Sequence, residues 1–179
     1  MIKWLLILIF LSAASAQEPT LKSQNSNPCD QANYHDFDFW VGNWAVYGDL
    51  DKSGPLLGTN RITKSQGGCL ITEHWTSANG NTGTSMNFYD GSQNKWVQHW
   101  VSQDGISISY SGGLDNDSMV LTGKIYYANR DDHPIRDFKG KWTPLDDGVV
   151  KQHFEESIDG GESWQPWFTG YYFQQTETK

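Results

Sequence analysis

Clusters of turn-forming residues punctuate this 179-residue chain at intervals too short for ordinary helices. They fall at 48–54, 66–68, 79–81, 90–94, 104–105, 115–117, 131–132, 146–148 and 159–161. Several contain Asn-Gly or Asp-Gly, which supply the positive φ that a tight hairpin needs. Turns spaced about eight to twelve residues apart are the mark of an antiparallel sandwich or barrel.

Between the turns the hydrophobic pattern has a period of two. It predicts about ten strands, at 40–48, 57–65, 69–76, 82–89, 95–102, 105–112, 118–123, 124–130, 136–143 and 149–158, with 163–173 as a last one. Hairpin linkage throughout gives an all-β, up-and-down antiparallel barrel. The one helical stretch, 31–39, is suited to plug an end of it. Ile106, Ile108 and Tyr110 oppose Ser107, Ser109 and Ser111, the clearest in-out alternation in the chain. By the same parity Ile71, Glu73 and Trp75 share a face, as do Trp96, Gln98 and Trp100, and Val150, Gln152, Phe154 and Glu156.

The first sixteen residues read as a secretory signal peptide: Lys3, an apolar run from Trp4 to Leu11, then Ala14-Ser15-Ala16. The run is about half the ~20 residues that a spanning helix needs. Residues 17–34 are polar and read as a flexible arm, leaving 35–179 as one barrel domain. Loss of Lys3 with the signal, and of no acid, takes the net charge from −8 to −9. That acidity argues against nucleic acid and against anionic lipid surfaces, both of which need basic patches. The expected location is secreted or periplasmic, with no membrane association after cleavage. Cys29 and Cys69 would meet an oxidising compartment and are expected to pair. In the chain-entropy model, closing a loop of about 40 residues is worth roughly 4 kcal/mol. Two separate thiols are the alternative, and neither redox nor zinc spacing is present.

Five aromatic residues crowd the twelve positions 36–47, and Gly42-Asn43-Trp44 at their centre resembles the Gly-x-Trp signature of lipocalin-like (calycin) barrels. A longer pattern runs in the same order. It comprises Phe37-Asp-Phe-Trp-Val-Gly-Asn-Trp44, Gly68-Cys-Leu-Ile-Thr-Glu-His-Trp75, Gly83-Thr-Ser-Met-Asn-Phe-Tyr-Asp90, Lys95-Trp-Val-Gln-His-Trp-Val101, Trp142-Thr-Pro-Leu-Asp-Asp-Gly148 and Val150-Lys-Gln-His-Phe-Glu-Glu-Ser157. Together these resemble a family of bacterial, often exported, domains of unknown function. The resemblance spans roughly 35–173 and implies a calycin-like barrel with no established activity. The family places an Arg before its Trp-Thr-Pro, whereas here Lys139 stands three residues before Trp142. That leaves Arg61 or Arg136 to partner an inward carboxylate. Locally, Ser157-Ile-Asp-Gly-Gly-Glu-Ser-Trp164 is similar to the Asp-box of sialidase propellers. In a chain this short it reads as the turn between the last two strands.

The residues expected to line a cavity are Glu73, Trp75, Trp96, Gln98, Trp100, Gln152 and Glu156, with Trp40, Trp44 and Trp142 at the floor. Interior faces that mix rings with Gln or Glu suit a ligand pocket better than a dry core. Buried water or mutual bonding is the alternative use of these groups. The histidines lack metal spacing, and His74, His99 and His153 fall on the opposite, outward faces. No metal and no cofactor is expected, haem included, since haem would need one inward His. Glu73 and Glu156 are candidate acid–base carboxylates if burial raises their pKa values. Three functions follow: a small-molecule binding barrel, an enzyme using Glu73 or Glu156 as acid or base, and a solid structural or interaction domain.

Overall fold

The computed structural model describes residues 27–175. The expected signal peptide, and the expected arm as far as residue 26, lie outside the described residues. Ten strands form one closed antiparallel barrel in up-and-down order, β1 pairing with both β2 and β10. They are β1 (Gly42–Tyr47), β2 (Leu56–Ser65), β3 (Leu70–Ser77), β4 (Thr82–Asp90), β5 (Lys95–Ser102), β6 (Ile106–Asp115), β7 (Ser118–Tyr127), β8 (Ile135–Pro144), β9 (Val150–Ser157) and β10 (Gln165–Gln174). The hairpins close where the turn residues predict. Gly105 between β5 and β6 takes φ 79°, and Asn116 between β6 and β7 takes φ 53°, a value that Asn tolerates better than most residues.

One boundary differs from the expectation. Segments 118–123 and 124–130 are a single strand, β7, with Gly123 paired to Tyr110 and Phe138 in mid-sheet. Gly123 is not a turn. A Cβ there would lie 2.2 Å from the Ser109 carbonyl oxygen, so the glycine permits close approach of β6 rather than a change of direction.

Residues 27–40 form three short 3₁₀ turns, Pro28–Asp30, Ala32–His35 and Asp38–Trp40, rather than one helix over 31–39. Residues 27–34, expected within the flexible arm, are thus folded against the barrel's lower end. Phe37 is fully buried there, stacked on Trp40 at 4.9 Å and set edge-on to Trp96 and Trp142. Lys64 Nζ donates to the Tyr34 carbonyl (2.9 Å) and to Asp38 Oδ1 (2.5 Å), and Trp96 Nε1 donates to the Asn33 carbonyl (3.1 Å). The Cys29–Cys69 disulfide, Cα atoms 5.1 Å apart, ties the first turn to the loop between β2 and β3. One end of the barrel is therefore a packed aromatic floor. Among the described residues, no helix is long and apolar enough to cross a membrane.

The Asp-box segment is the β9–β10 hairpin. Asp159 Oδ1 accepts from the Ser157 hydroxyl (2.6 Å) and the Ser163 amide (3.0 Å), and Trp164 Nε1 donates to the Gly161 carbonyl (3.1 Å). Those donors hold the Asp159 carboxyl well below the usual carboxylate range, with Ser157 the largest contributor and Ser163 next. The box fixes this turn, and Lys139 Nζ lies over the Trp164 ring, 4.4 Å from its centroid.

Candidate functional site

Above the floor the barrel is hollow. A cavity of about 300 Å³ reaches from the mid-level of the strands to the end carrying the β3–β4 and β5–β6 turns. Asn79, Asn81, Thr82 and Asp104 form its mouth, and Trp75, Trp100, Ile106, Trp167 and Phe168 its upper wall. Glu73, Gln98, Tyr110, Gln152 and Tyr172 form its inner end.

The upper wall stays open because glycines receive the rings. A Cβ at Gly83 would lie 2.4 Å from Trp100 Cζ2, and one at Gly58 would lie 2.4 Å from the Thr76 carbonyl oxygen and 2.6 Å from Trp75 Cη2. Each indole lies against the sheet instead of projecting across the axis. On β10 a register shift between Pro166 and Phe168 adds one residue, so the adjacent Trp167 and Phe168 both reach the cavity.

The inner end holds a polar ribbon across five consecutive strands. Asn60 Nδ2 on β2 and Ser85 Oγ on β4 donate to the two oxygens of Glu73 on β3, each at 2.7 Å. Asn87 Nδ2 donates to Ser85 Oγ (2.9 Å) and to the Ile71 carbonyl (3.1 Å). Gln98 Nε2 donates to Asn87 Oδ1, and the Tyr110 hydroxyl donates to Gln98 Oε1. Asn60, Glu73, Ser85, Asn87 and Gln98 are all buried. Burial pushes the Glu73 carboxyl above its ordinary pKa, against the pull of Ser85 and Asn60. Burial, and then the Glu73 charge, raise Tyr110 and Tyr172 well above the usual phenol value. Across the barrel on β9, Gln152 is 4% exposed, and its Oε1 has no hydrogen-bond partner among the described residues.

Five of the residues expected at a cavity, Glu73, Trp75, Gln98, Trp100 and Gln152, line this one. Trp96 and Glu156 do not. Trp96 is at the floor, 2% exposed, against Phe37. Parity placed it on the same face as Trp100, but four residues of strand, at about 3.3 Å each, separate the two in height. Glu156 is turned to its neighbours: Arg136 Nη1 donates to its Oε1 at 2.5 Å and the Tyr127 hydroxyl to its Oε2 at 2.5 Å. Trp167 Nε1 donates in turn to the Tyr127 hydroxyl (2.9 Å). Burial, then Glu156, push the Tyr127 phenol up to about 12. Arg136 is thus the inward partner of a carboxylate, while Arg61 is exposed. Glu73 and Glu156 are not brought together as an acid–base pair.

Sequence reasoning did not find Asn60, Ser85 and Asn87. Their parity was readable, since each alternates with exposed or half-exposed neighbours, but small polar residues carry no inward signal of their own. Among the described residues no group of His, Cys, Asp and Glu could hold a metal ion. Comparison with protein-family models and with curated proteins finds no match to this chain.

Proposed function

We propose that this chain is an exported, calycin-like barrel that binds a small, largely apolar molecule in the cavity between Trp75, Trp100 and Gln152. The proposal places it with the exported domains of unknown function that its motifs resemble. The observation that carries the reading is the construction of the interior. Glycines hold two indoles off the axis, and a buried amide oxygen of Gln152 is left for a guest. Burying an unsatisfied polar atom costs about 1–3 kcal/mol, a cost that a ligand donor would offset. Export is supported by the N-terminal sequence and by a disulfide of the kind that persists in oxidising compartments.

Native mass spectrometry of the mature protein, prepared by export rather than refolding, tests this. A discrete mass excess that departs on collisional activation is the expected result. A bare mass, together with no uptake of an apolar fluorescent probe such as N-phenyl-1-naphthylamine, would overturn the reading.

A second reading, acid–base chemistry by Glu73, is favoured by the raised pKa of a carboxyl that lines a pocket. Conversion of the carried molecule during incubation, lost in Glu73→Gln, would establish it over simple binding.

A further inference from the structure

Charge in the cavity is of one sign. Glu73 lies at its inner end and Asp104 at its mouth, and no Lys, Arg or His lines it. Glu73 also has no ion-pair partner among the described residues, although the barrel supplies one to the less buried Glu156. The hydrogen bonds around Glu73 are oriented. Tyr110 donates to Gln98, Gln98 to Asn87, Asn87 to Ser85 and Ser85 to Glu73, so each donor in the chain points towards the carboxyl. Asn60 donates to the remaining oxygen. Each oxygen accepts one hydrogen bond, from Asn60 and from Ser85, and neither meets a protein cation. A buried carboxylate with oriented donors and no protein cation lacks one component, a counter-charge.

On the cavity-binding reading above, we propose that the occupant is a small organic cation, a protonated amine on an apolar body. Its ammonium sits against Glu73 and Gln152 Oε1, and its body lies between the Trp75 and Trp100 indoles. An ammonium carries donors alone, and the Glu73 oxygens and Gln152 Oε1 can accept them. Its charge supplies what Glu73 lacks, and Tyr110 and Tyr172 line the same inner end. An anion of the same shape would place a like charge beside Glu73 with no Lys or Arg to compensate. A neutral guest would leave the carboxylate as unpaired as before.

Calorimetric titration of the mature protein with three probes of one shape tests this: 2-phenylethylammonium, 2-phenylethanol and 3-phenylpropanoate. The ammonium should bind roughly 30-fold or more tightly than the alcohol, as for a desolvated charge pair, and the carboxylate should not bind. In Glu73→Gln the ammonium should lose that advantage while the alcohol is retained. Comparison of the three probes on the unaltered protein decides the matter even if the variant fails to fold. Equal or tighter binding of the alcohol or the carboxylate would overturn the cation and leave the cavity-binding reading intact. Binding of none of the three would also overturn the cation. The cavity-binding reading would fall with it only if the native spectrum were bare and the fluorescent probe were excluded.

Discussion

The indole of Trp100 rests on the backbone of Gly83, so that a Cβ at position 83 would meet Trp100 Cζ2 at 2.4 Å. Trp75 and Gly58 repeat the relationship on the neighbouring pair of strands. A sequence selected for a solid core would put side chains at 58 and 83 and turn the rings inward. Here the glycines keep the centre free. Gly83→Val should displace the indole into the cavity, costing about 1–3 kcal/mol in overpacking. Uptake of N-phenyl-1-naphthylamine should be lost with it, while circular dichroism stays that of the native barrel. Unchanged uptake would show that the Trp100–Gly83 contact does not define the site.

Glu73 should make the stability of the empty protein depend on pH. Its folded pKa is raised by burial above the ordinary value of 4.5, so the folded state holds this proton more tightly than the unfolded state. The stabilisation is fully present below about pH 4.5 and declines as pH rises through the raised folded value. Glu73→Gln removes the titration, and the unpartnered Oδ1 of Asn60 can accept from the new amide once the Asn60 side chain turns over. Urea midpoints of the two proteins across a pH series should diverge in the variant's favour above pH 4.5 and then run parallel. A difference independent of pH would contradict the role given to burial.

The Glu156 cluster is a structural brace, and it has a spectroscopic signature. Tyr127 is pushed up to about 12 by burial and then by Glu156. In Glu156→Gln one phenol should titrate at lower pH when ionisation is followed by ultraviolet absorbance. Arg136→Met, by contrast, leaves Glu156 mostly buried without its cation. That should cost up to about 3 kcal/mol, allowing for the partial exposure of the pair.

The disulfide holds the plug to the floor. Replacing Cys29 and Cys69 together by Ser reopens a loop that spans a sequence separation of 40. The chain-entropy model sets the loss at about 4 kcal/mol. Thermal unfolding with and without dithiothreitol should show the drop in the unaltered protein and none in the double variant.

Much of this was legible in the sequence because a strand's period of two converts composition into facing. Glu73, Gln98 and Gln152 could be placed inside from their ring-bearing neighbours alone, and Ile106, Ile108 and Tyr110 from the serines between them. Parity gives a face but not a height, so Trp96 shares a face with Trp100 although it packs on Phe37 at the floor while Trp100 lines the cavity. Parity also fails at a bulge, and Trp167 and Phe168 line the same cavity from adjacent positions. The expected break between 118–123 and 124–130 falls at Gly123, inside β7. A glycine inside a strand pattern can mark a turn or a close approach of neighbouring backbone, and only the β6 backbone beside it shows which. Asn60 on β2 and the Ser85–Asn87 pair on β4 meet through Glu73 on β3, and a network that joins separate strands has no local sequence signature.

A crystal structure of the protein purified without refolding from the cells that make it would test the central claim most directly. The expected result is density for a bound molecule in contact with Trp100 and Gln152, with the indoles still resting on Gly58 and Gly83. Indoles swung away from those glycines to fill the interior would instead make the barrel solid and contradict the account.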